Sequence, residues 1–496
     1  MNRYILIVLM FLVSIDAQAT DDVSEKSLVQ ELLKEVRALR KEVDSLKADR
    51  NIKQKELVQE VQTIKKAQIE NAQAIEDVNE YTEEVEANSF KDKLDFGLGF
   101  KTNLDNFTKK YASGRKVSSN NVWSNKLMLN MKADISDDMN FYGRLSMFKY
   151  WGTSNVHKYT YYDNMQGRAP SNSALYVERA YLNWFLFQDS FLPLSFTIGR
   201  QPSSDGPSNQ FKDNVLRKGT YSGLLYDGAA DGIVLTANLS TVLDNPGTYL
   251  RLGYAKGYAY NESENDVGNA FIGASNNDIE DTNVFGVFLD TTIPNIDNSL
   301  VQISYSRMID IVANPLDANT TENENIGDVD LYGAMVEFTN FNSSNLDLFA
   351  HYGHSVAHPN GKGYRNYGGL LSSNGDTSDK SGDSIWLGSR YGFGKKQRFK
   401  VGLEYNHGSE NWINLTQGSF DIYNKLATRG DAYEAYLMYV INGYANIRLG
   451  YVNVNYDYTG SGWFVGESKK INSSVDNADT TVENLESIYL KMNVNF

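Results

Sequence analysis

The chain closes on SIYLKMNVNF, residues 487–496. Ile488, Leu490, Met492, Val494 and Phe496 alternate with Ser487, Tyr489, Lys491, Asn493 and Asn495 right up to the terminal carboxylate. A period of two puts successive side chains on opposite faces of a strand. One face here is apolar and ends in an aromatic ring, while the other is polar and carries a lysine. In hydrocarbon an unpaired strand edge leaves backbone groups unsatisfied, so only a closed barrel can end this way in a membrane. The stretch therefore reads as the closing strand of a membrane β-barrel, with its apolar face to lipid.

The same alternation runs upstream. It appears in Leu94-Phe96-Leu98-Phe100, in Leu127-Leu129-Met131-Ala133 and in Ala180-Leu182-Trp184-Leu186. Later come Ile233-Leu235-Ala237-Leu239, Tyr332-Ala334-Val336-Phe338, Val401-Leu403-Tyr405 and Ala445-Ile447-Leu449. Counted along the chain, such segments predict an all-β transmembrane antiparallel barrel of about sixteen strands, an even number as single-chain bacterial barrels require.

The connections alternate too. Short turns such as Ser136-Asp137-Asp138, Gly394-Lys395-Lys396 and Asn442-Gly443 intervene between long polar segments. The long segments are 103–120, 152–174, 200–229, 259–281, 311–327, 355–382, 408–429 and 457–484. That rhythm predicts periplasmic turns and external loops. Aromatics at strand ends, including Phe141-Tyr142, Phe187, Phe338, Phe393 and Phe496, predict interfacial girdles.

Mean hydropathy is −0.45, a soluble-looking average that two alternating faces would also produce. There is no cysteine, which removes disulfides and thiolate metal sites together. A formal net charge of −15 argues against nucleic acid as a partner.

The N-terminal region is different. MNRYILIVLMFLVSIDAQA has a basic start, a short apolar run and Ala17-Gln18-Ala19, which predicts a signal peptide over 1–19. Over 20–88 Val29, Leu32, Val36, Leu39, Val43 and Leu46 set a heptad seam. It resumes at Leu57, Val61 and Ile64 after an eleven-residue step from Leu46, as a stutter would give. This predicts a periplasmic coiled-coil stalk, on the order of 90 Å long at 1.5 Å per residue. The barrel is expected over 91–496.

If the apolar set faces lipid, the other set lines the lumen. Lys126, Lys132, Arg144, Arg179, Arg251, Arg390, Lys400 and Arg448 then point inward, with Asp95, Asp290, Glu337, Asp347, Glu404 and Glu434. Such charges are tolerated where they are wet or paired. The third external loop, 200–229, carries charges of both signs with apolar Phe211, Val215, Leu216, Leu224 and Leu225. A loop folded into the barrel would bury those apolar groups; one packed outside on its neighbours would also cover them. The residues expected to set a constriction are Lys126, Arg144, Arg179, Arg200, Asp205 and Arg217.

NFYGRLSMFKYWG (140–152), IGRQPSSDGPS (198–208) and ADGIVL (230–235), behind a coiled coil, resemble an uncharacterised domain-of-unknown-function family of Gram-negative outer-membrane porin-like proteins. The resemblance covers nearly the whole mature chain, and its motifs carry no assigned chemistry. The loop arrangement is also similar to that of the sixteen-stranded trimeric porins, whose third loop folds inward. The resemblance implies a homotrimeric outer-membrane porin passing small hydrophilic solutes or ions, with lipid and lipopolysaccharide around it.

Two other functions stay open. The stalk could reach peptidoglycan and tether the membrane to the wall, or the loops could make a plugged barrel a surface receptor or adhesin. Catalysis is not expected, because no G-x-S-x-G elbow beside a histidine and acid, and no H-E-x-x-H, occurs. No cofactor is expected. His351, His354 and His358 are the weak candidates for a metal, but strand spacing does not imply that they converge.

Overall fold

The computed structural model describes residues 34 and 41, then 94–151, 175–202, 206–217, 219–258, 279–313, 323–416, 423–472 and 474–496. The expected signal peptide and coiled coil lie outside the described residues.

Sixteen strands follow one another: β1 Leu94–Tyr111, β2 Lys116–Ser136, β3 Met139–Tyr150, β4 Tyr176–Leu186, β5 Leu194–Pro202, β6 Ala229–Asn238, β7 Tyr249–Tyr258 and β8 Thr282–Thr291. Then come β9 Ser299–Ile309, β10 Gly327–Phe338, β11 Leu346–Pro359, β12 Lys380–Phe393, β13 Phe399–Gly408, β14 Gly430–Val440, β15 Ala445–Tyr456 and β16 Val482–Asn495. Each is hydrogen-bonded to its sequence neighbours and the barrel is closed by β1 on β16. Leu104 faces Leu490 and Phe100 faces Val494 across that seam, antiparallel. The last residue takes part: Phe496 donates its N–H to Leu98 O at 2.9 Å. No edge remains, which is the condition for a sheet to sit in hydrocarbon.

The alternation decides the two surfaces. Ile488 and Leu490 are 57% and 45% exposed, whereas Ser487 and Tyr489 are 1% exposed. Outward aromatics form two rings. At the short-turn end lie Phe96, Trp184, Phe393, Phe399 and Phe496; towards the long loops lie Tyr332, Tyr352, Tyr433 and Tyr451. Phe399 and Tyr405 on β13 are six residues apart, about 20 Å along a strand. An apolar band between aromatic girdles is the exterior that a membrane barrel presents.

One expected loop is strand. Residues 103–120 were expected as a loop, but β1 and β2 extend through them and turn only at 112–115. The ladder continues from Lys101↔Lys126 to Lys110↔Lys116, shifted once between Asp105 and Phe107. Here the inward face buries Asn103, Asp105 and Phe107 together while the outward face is no longer uniformly apolar, so the hydrophobic alternation that marks a strand disappears while the hydrogen bonds persist.

Inward glycines receive rings from the neighbouring strand. Gly402 lies opposite Tyr436, and a Cβ on Gly402 would sit 2.0 Å from Tyr436 Cζ. Gly388 under Phe349 and Gly450 under Tyr489 repeat the arrangement, at 2.1 Å and 2.3 Å. The missing side chain lets a large ring lie flat on the wall instead of standing in the lumen. Gly402→Ala should therefore cost about 1–3 kcal/mol by overpacking. Thermal unfolding of the barrel folded in detergent checks this; an unchanged midpoint would mean the ring has free space to move into.

Candidate functional site in the barrel lumen

The connection from β5 to β6, L3, spans 203–228 and carries the short helix α1, Asn209–Asp213. Side chains from β1, β10, β12, β13, β15 and β16 meet around it. Arg390 (β12) donates to Phe211 O at 2.6 Å, and Asn446 (β15) to Asp213 O at 2.8 Å. Lys400 (β13) donates to Asn214 Oδ1 at 2.7 Å, and Asn493 (β16) to Asp213 Oδ1 at 3.1 Å. Arg448 (β15) donates to Lys212 O, and Lys101 (β1) pairs with Asp213. Gln210 and Ser208 donate to Glu337 (β10), each at 2.8 Å. These wall residues all alternate with the exposed apolar set, so they converge inside the barrel.

The base of L3 is pinned by one imidazole. His351 (β11) has Nε2 2.9 Å from Ser208 Oγ and Nδ1 2.7 Å from Ser222 Oγ, so its two nitrogens join the two legs of the loop. Above it Leu224 and Leu225 are fully buried in a cluster with Phe211, Phe288, Leu331, Phe349, Trp386 and Trp412. Gly333 (β10) and Gly353 (β11) are directly opposed and leave a notch without side chains. Leu225 and Trp412 occupy it: a Cβ on Gly353 would lie 2.5 Å from Trp412 and 3.0 Å from Leu225.

Trp412 belongs to L7, the 409–429 connection, which is joined to L3 through the backbone. Leu415 donates to Leu225 O and Asp227 donates to Leu415 O, both at 2.8 Å. Lys425 of L7 is buried against Glu404 (2.7 Å) and Glu434, and Lys212 of L3 approaches the same two carboxylates at 3.9 and 3.7 Å. Tyr423 reaches the far side, donating to Asp105 (β1) at 2.8 Å. Arg429 closes the set by donating to Trp412 O, Thr459 O and Trp463 O at 2.8–3.0 Å, and its burial pulls the guanidinium down to about 10.

The arc from β2 to β4 carries the expected basic residues. Lys126 lies 2.9 Å from Glu178 Oε1, and Arg144 donates to Asn130 Oδ1 at 2.6 Å with a second nitrogen 3.6 Å from Glu178. Arg179 faces Arg144 directly and is buried. Arg217, at the free edge of L3, is about a third exposed and 3.9 Å from Asp290, and its neighbour Leu216 is 86% exposed. The expectation that Leu216 packs inside the loop is thus corrected.

Arg200 is also placed differently from the expectation. β5 runs on to Pro202, so Arg200 shares the outward face of Ile198, where it holds Asp231 through two bonds of 2.8 Å. Asp205 lies outside the described residues. The three histidines part in the same way: His351 faces the lumen, while His354 and His358 lie on the other face with Asp383 at 2.8 Å, and Asp379 and Asp330 at 2.8 and 2.9 Å. Sequence reasoning missed the glycine notch and L7. Opposed inward glycines in adjacent strands were the available signal, and reading it requires the register.

A family model described as a protein of unknown function (DUF3373) matches residues 116–496. No curated protein matches the sequence. Among solved structures, the chain is similar to Pseudomonas putida OprB at high pH, with TM-score 0.46 and 13% identity over 82% of this chain and 96% of that one. It is similar to Salmonella typhi OmpF in complex with daunomycin, with TM-score 0.44 and 10% identity over 81% and 97%. In-vitro folded Vibrio cholerae OmpT, an outer-membrane protein in a trimer form, gives TM-score 0.38 and 12% identity over 81% and 100%.

Proposed function

We infer that this chain, which belongs to the DUF3373 family of proteins of unknown function, is an outer-membrane channel for passive diffusion of small hydrophilic solutes. The observation that carries the reading is the contrast of surfaces: an apolar exterior around an interior wall of lysines, arginines and carboxylates. Buried ionisable groups in a membrane protein face a wet path or one another. Here L3 collects many of them on β1 and β8–β16. The proposed path runs between the free edge of L3, at Leu216 and Arg217, and the arc β2–β7. Among the described residues on its β2–β4 side, Lys126, Arg144 and Arg179 stand with the single carboxylate Glu178, while Lys132 is paired with Asp134, and the proposed field there favours anions.

Planar-bilayer recording of the purified protein tests this. Stepwise ionic openings, with a reversal potential displaced towards the anion in a salt gradient, are the expected result. Stable insertion with no current overturns the channel. The bond between L3 and L7 would then favour a second reading, a surface receptor with a filled lumen.

Selectivity has its own check. Lys126→Gln with Arg179→Gln removes two positive charges and leaves Glu178. One unit charge about 6 Å from an ion in water is worth about 0.7 kcal/mol, roughly threefold in occupancy per charge before salt screening. The reversal potential should move towards cations. An unchanged value would place the selective segment elsewhere.

A further inference from the structure

Leu216 is the most exposed large apolar side chain among the described residues, at 86%, and it lies on L3, away from the lipid-facing wall. Its neighbour Arg217 sets its guanidinium beside the inward-facing Asp290 of β8. We propose that these two residues form a binding subsite for a small carboxylate with an apolar body, of the size of an aromatic or branched short-chain acid. The proposal deepens the channel reading above and rests on the path described there.

What Arg217 lacks is an acceptor. Asp290 Oδ2 is 3.9 Å away, beyond hydrogen-bond distance, and it already accepts from Arg251 at 2.7 Å. Asp290 Oδ1 is taken by Gln302 at 2.6 Å. Glu337, a second carboxylate within reach of the Arg217 charge, accepts from Ser208 and Gln210 on its two oxygens, each at 2.8 Å. Both acids are thus bonded elsewhere, and the Arg217 side chain stays 35% exposed. A guanidinium so placed offers planar, paired donors that match a carboxylate.

The strip that carries the pair is held at both ends. On one side Asn214, in the left-handed region with φ 52°, closes α1 and accepts from Arg390 and Lys400 at 3.2 and 2.7 Å. On the other, Gln302 of β9 donates to Thr220 O and accepts from the Ser222 N–H at 2.9 Å. The flanks therefore need no ordering when a ligand arrives, which spares part of the entropy that binding costs.

Apolar surface left in water beside a cation without an acceptor favours a solute that covers one and pairs with the other. Adjacent Cα atoms are about 3.8 Å apart, so one small molecule can reach both side chains. An inorganic anion would use Arg217 alone, and an uncharged solute Leu216 alone. Only an apolar carboxylate uses both.

Two measurements separate this subsite from the channel itself. In bilayers, benzoate, acetate and benzamide are each added to the conducting protein, and the concentration halving the open current is read. Benzoate should block at lower concentration than acetate, which has the charge without the body, or benzamide, which has the body without the charge. Leu216→Ser should raise the benzoate value about tenfold, equivalent to about 1.4 kcal/mol, and leave acetate in place. Arg217→Gln should raise the benzoate and acetate values and leave benzamide. Both side chains lie at the exposed edge of L3, so each variant should keep the parent's unfolding midpoint, and the change in block is read on a folded barrel. Equal block by benzoate and acetate, or benzoate block indifferent to Leu216→Ser, overturns the subsite while the channel stands. The second measurement needs no current. Benzoate is titrated calorimetrically into the parent and into Arg217→Gln in the same detergent, where partition into micelles contributes equally to both. Heat that the parent shows in excess of the variant supports the subsite even if the barrel is silent in bilayers, and identical heats overturn it.

Discussion

Gly353→Leu should give a wider and noisier channel than the parent protein. Gly353 faces Gly333 across β10 and β11, and the notch between them is filled by Leu225 of L3 and Trp412 of L7, both fully buried. A side chain beginning at Gly353 would meet Trp412 at 2.5 Å and Leu225 at 3.0 Å from its first carbon. Wall and loops cannot both keep their places. The wall is a hydrogen-bonded ladder on both sides, so the loops yield. Returning one such apolar side chain to water costs about 1.5–3 kcal/mol, and the notch holds two. L3 would still be tied by His351 at its base and by Arg390 at α1, so it should fluctuate, not leave, and the current should flicker. Single-channel recording reads both the mean conductance and the noise. If the variant folds and gives the parent's quiet current, L3 does not narrow the path.

Most of this architecture could be read from the chain because lipid imposes it. Every outward residue between the girdles must be apolar, so β12 to β16 announce themselves at period two, down to Phe496 bonded to Leu98. Where lipid stops, the signal stops: Phe107, Thr108 and Val117 are in strand, yet nothing in their spacing marks one face from the other. Arg200 was misplaced for a related reason. Polar residues after Ile198 looked like the start of a loop, but the ladder continues four residues further, to Pro202, and parity then sends Arg200 outward beside Asp231. The interior was less legible still. That Arg390, Arg448 and Lys101 converge on α1 depends on strands far apart in sequence, and that Leu225 has a notch to enter depends on two glycines coming into register. Inward charge could be listed from the chain, but its partners required the closed barrel.

Lys425→Met should be among the most damaging single changes available in the lumen. Lys425 is 2% exposed and stands between Glu404 and Glu434, whose side chains are 1% and 4% exposed. Removing one partner from a buried ion pair leaves an uncompensated charge and costs about 3–5 kcal/mol, well beyond the worth of the lost contact. Two carboxylates would remain, with Lys212 no nearer than 3.7 Å. Trp386 still donates to Glu404 at 3.0 Å and Tyr489 still donates to Glu434, but neither brings a positive charge. The same site holds L7 through Lys425 and L3 through Lys212, so the loss should reach the path as well as the fold. The unfolding midpoint in detergent should drop, and L7 should become open to protease between Trp412 and Arg429. The decisive control is the triple change Lys425→Met, Glu404→Gln and Glu434→Gln. It removes the stranded carboxylates at similar volume and leaves only Lys212, 12% exposed and no nearer than 3.7 Å to either, and replacing a buried ion cluster by neutral groups is often nearly neutral for stability. Recovery of the midpoint in the triple variant assigns the loss to charge. If the triple variant is as unstable as Lys425→Met alone, Lys425 acts through its packing, and the shared glutamates do not latch the two loops.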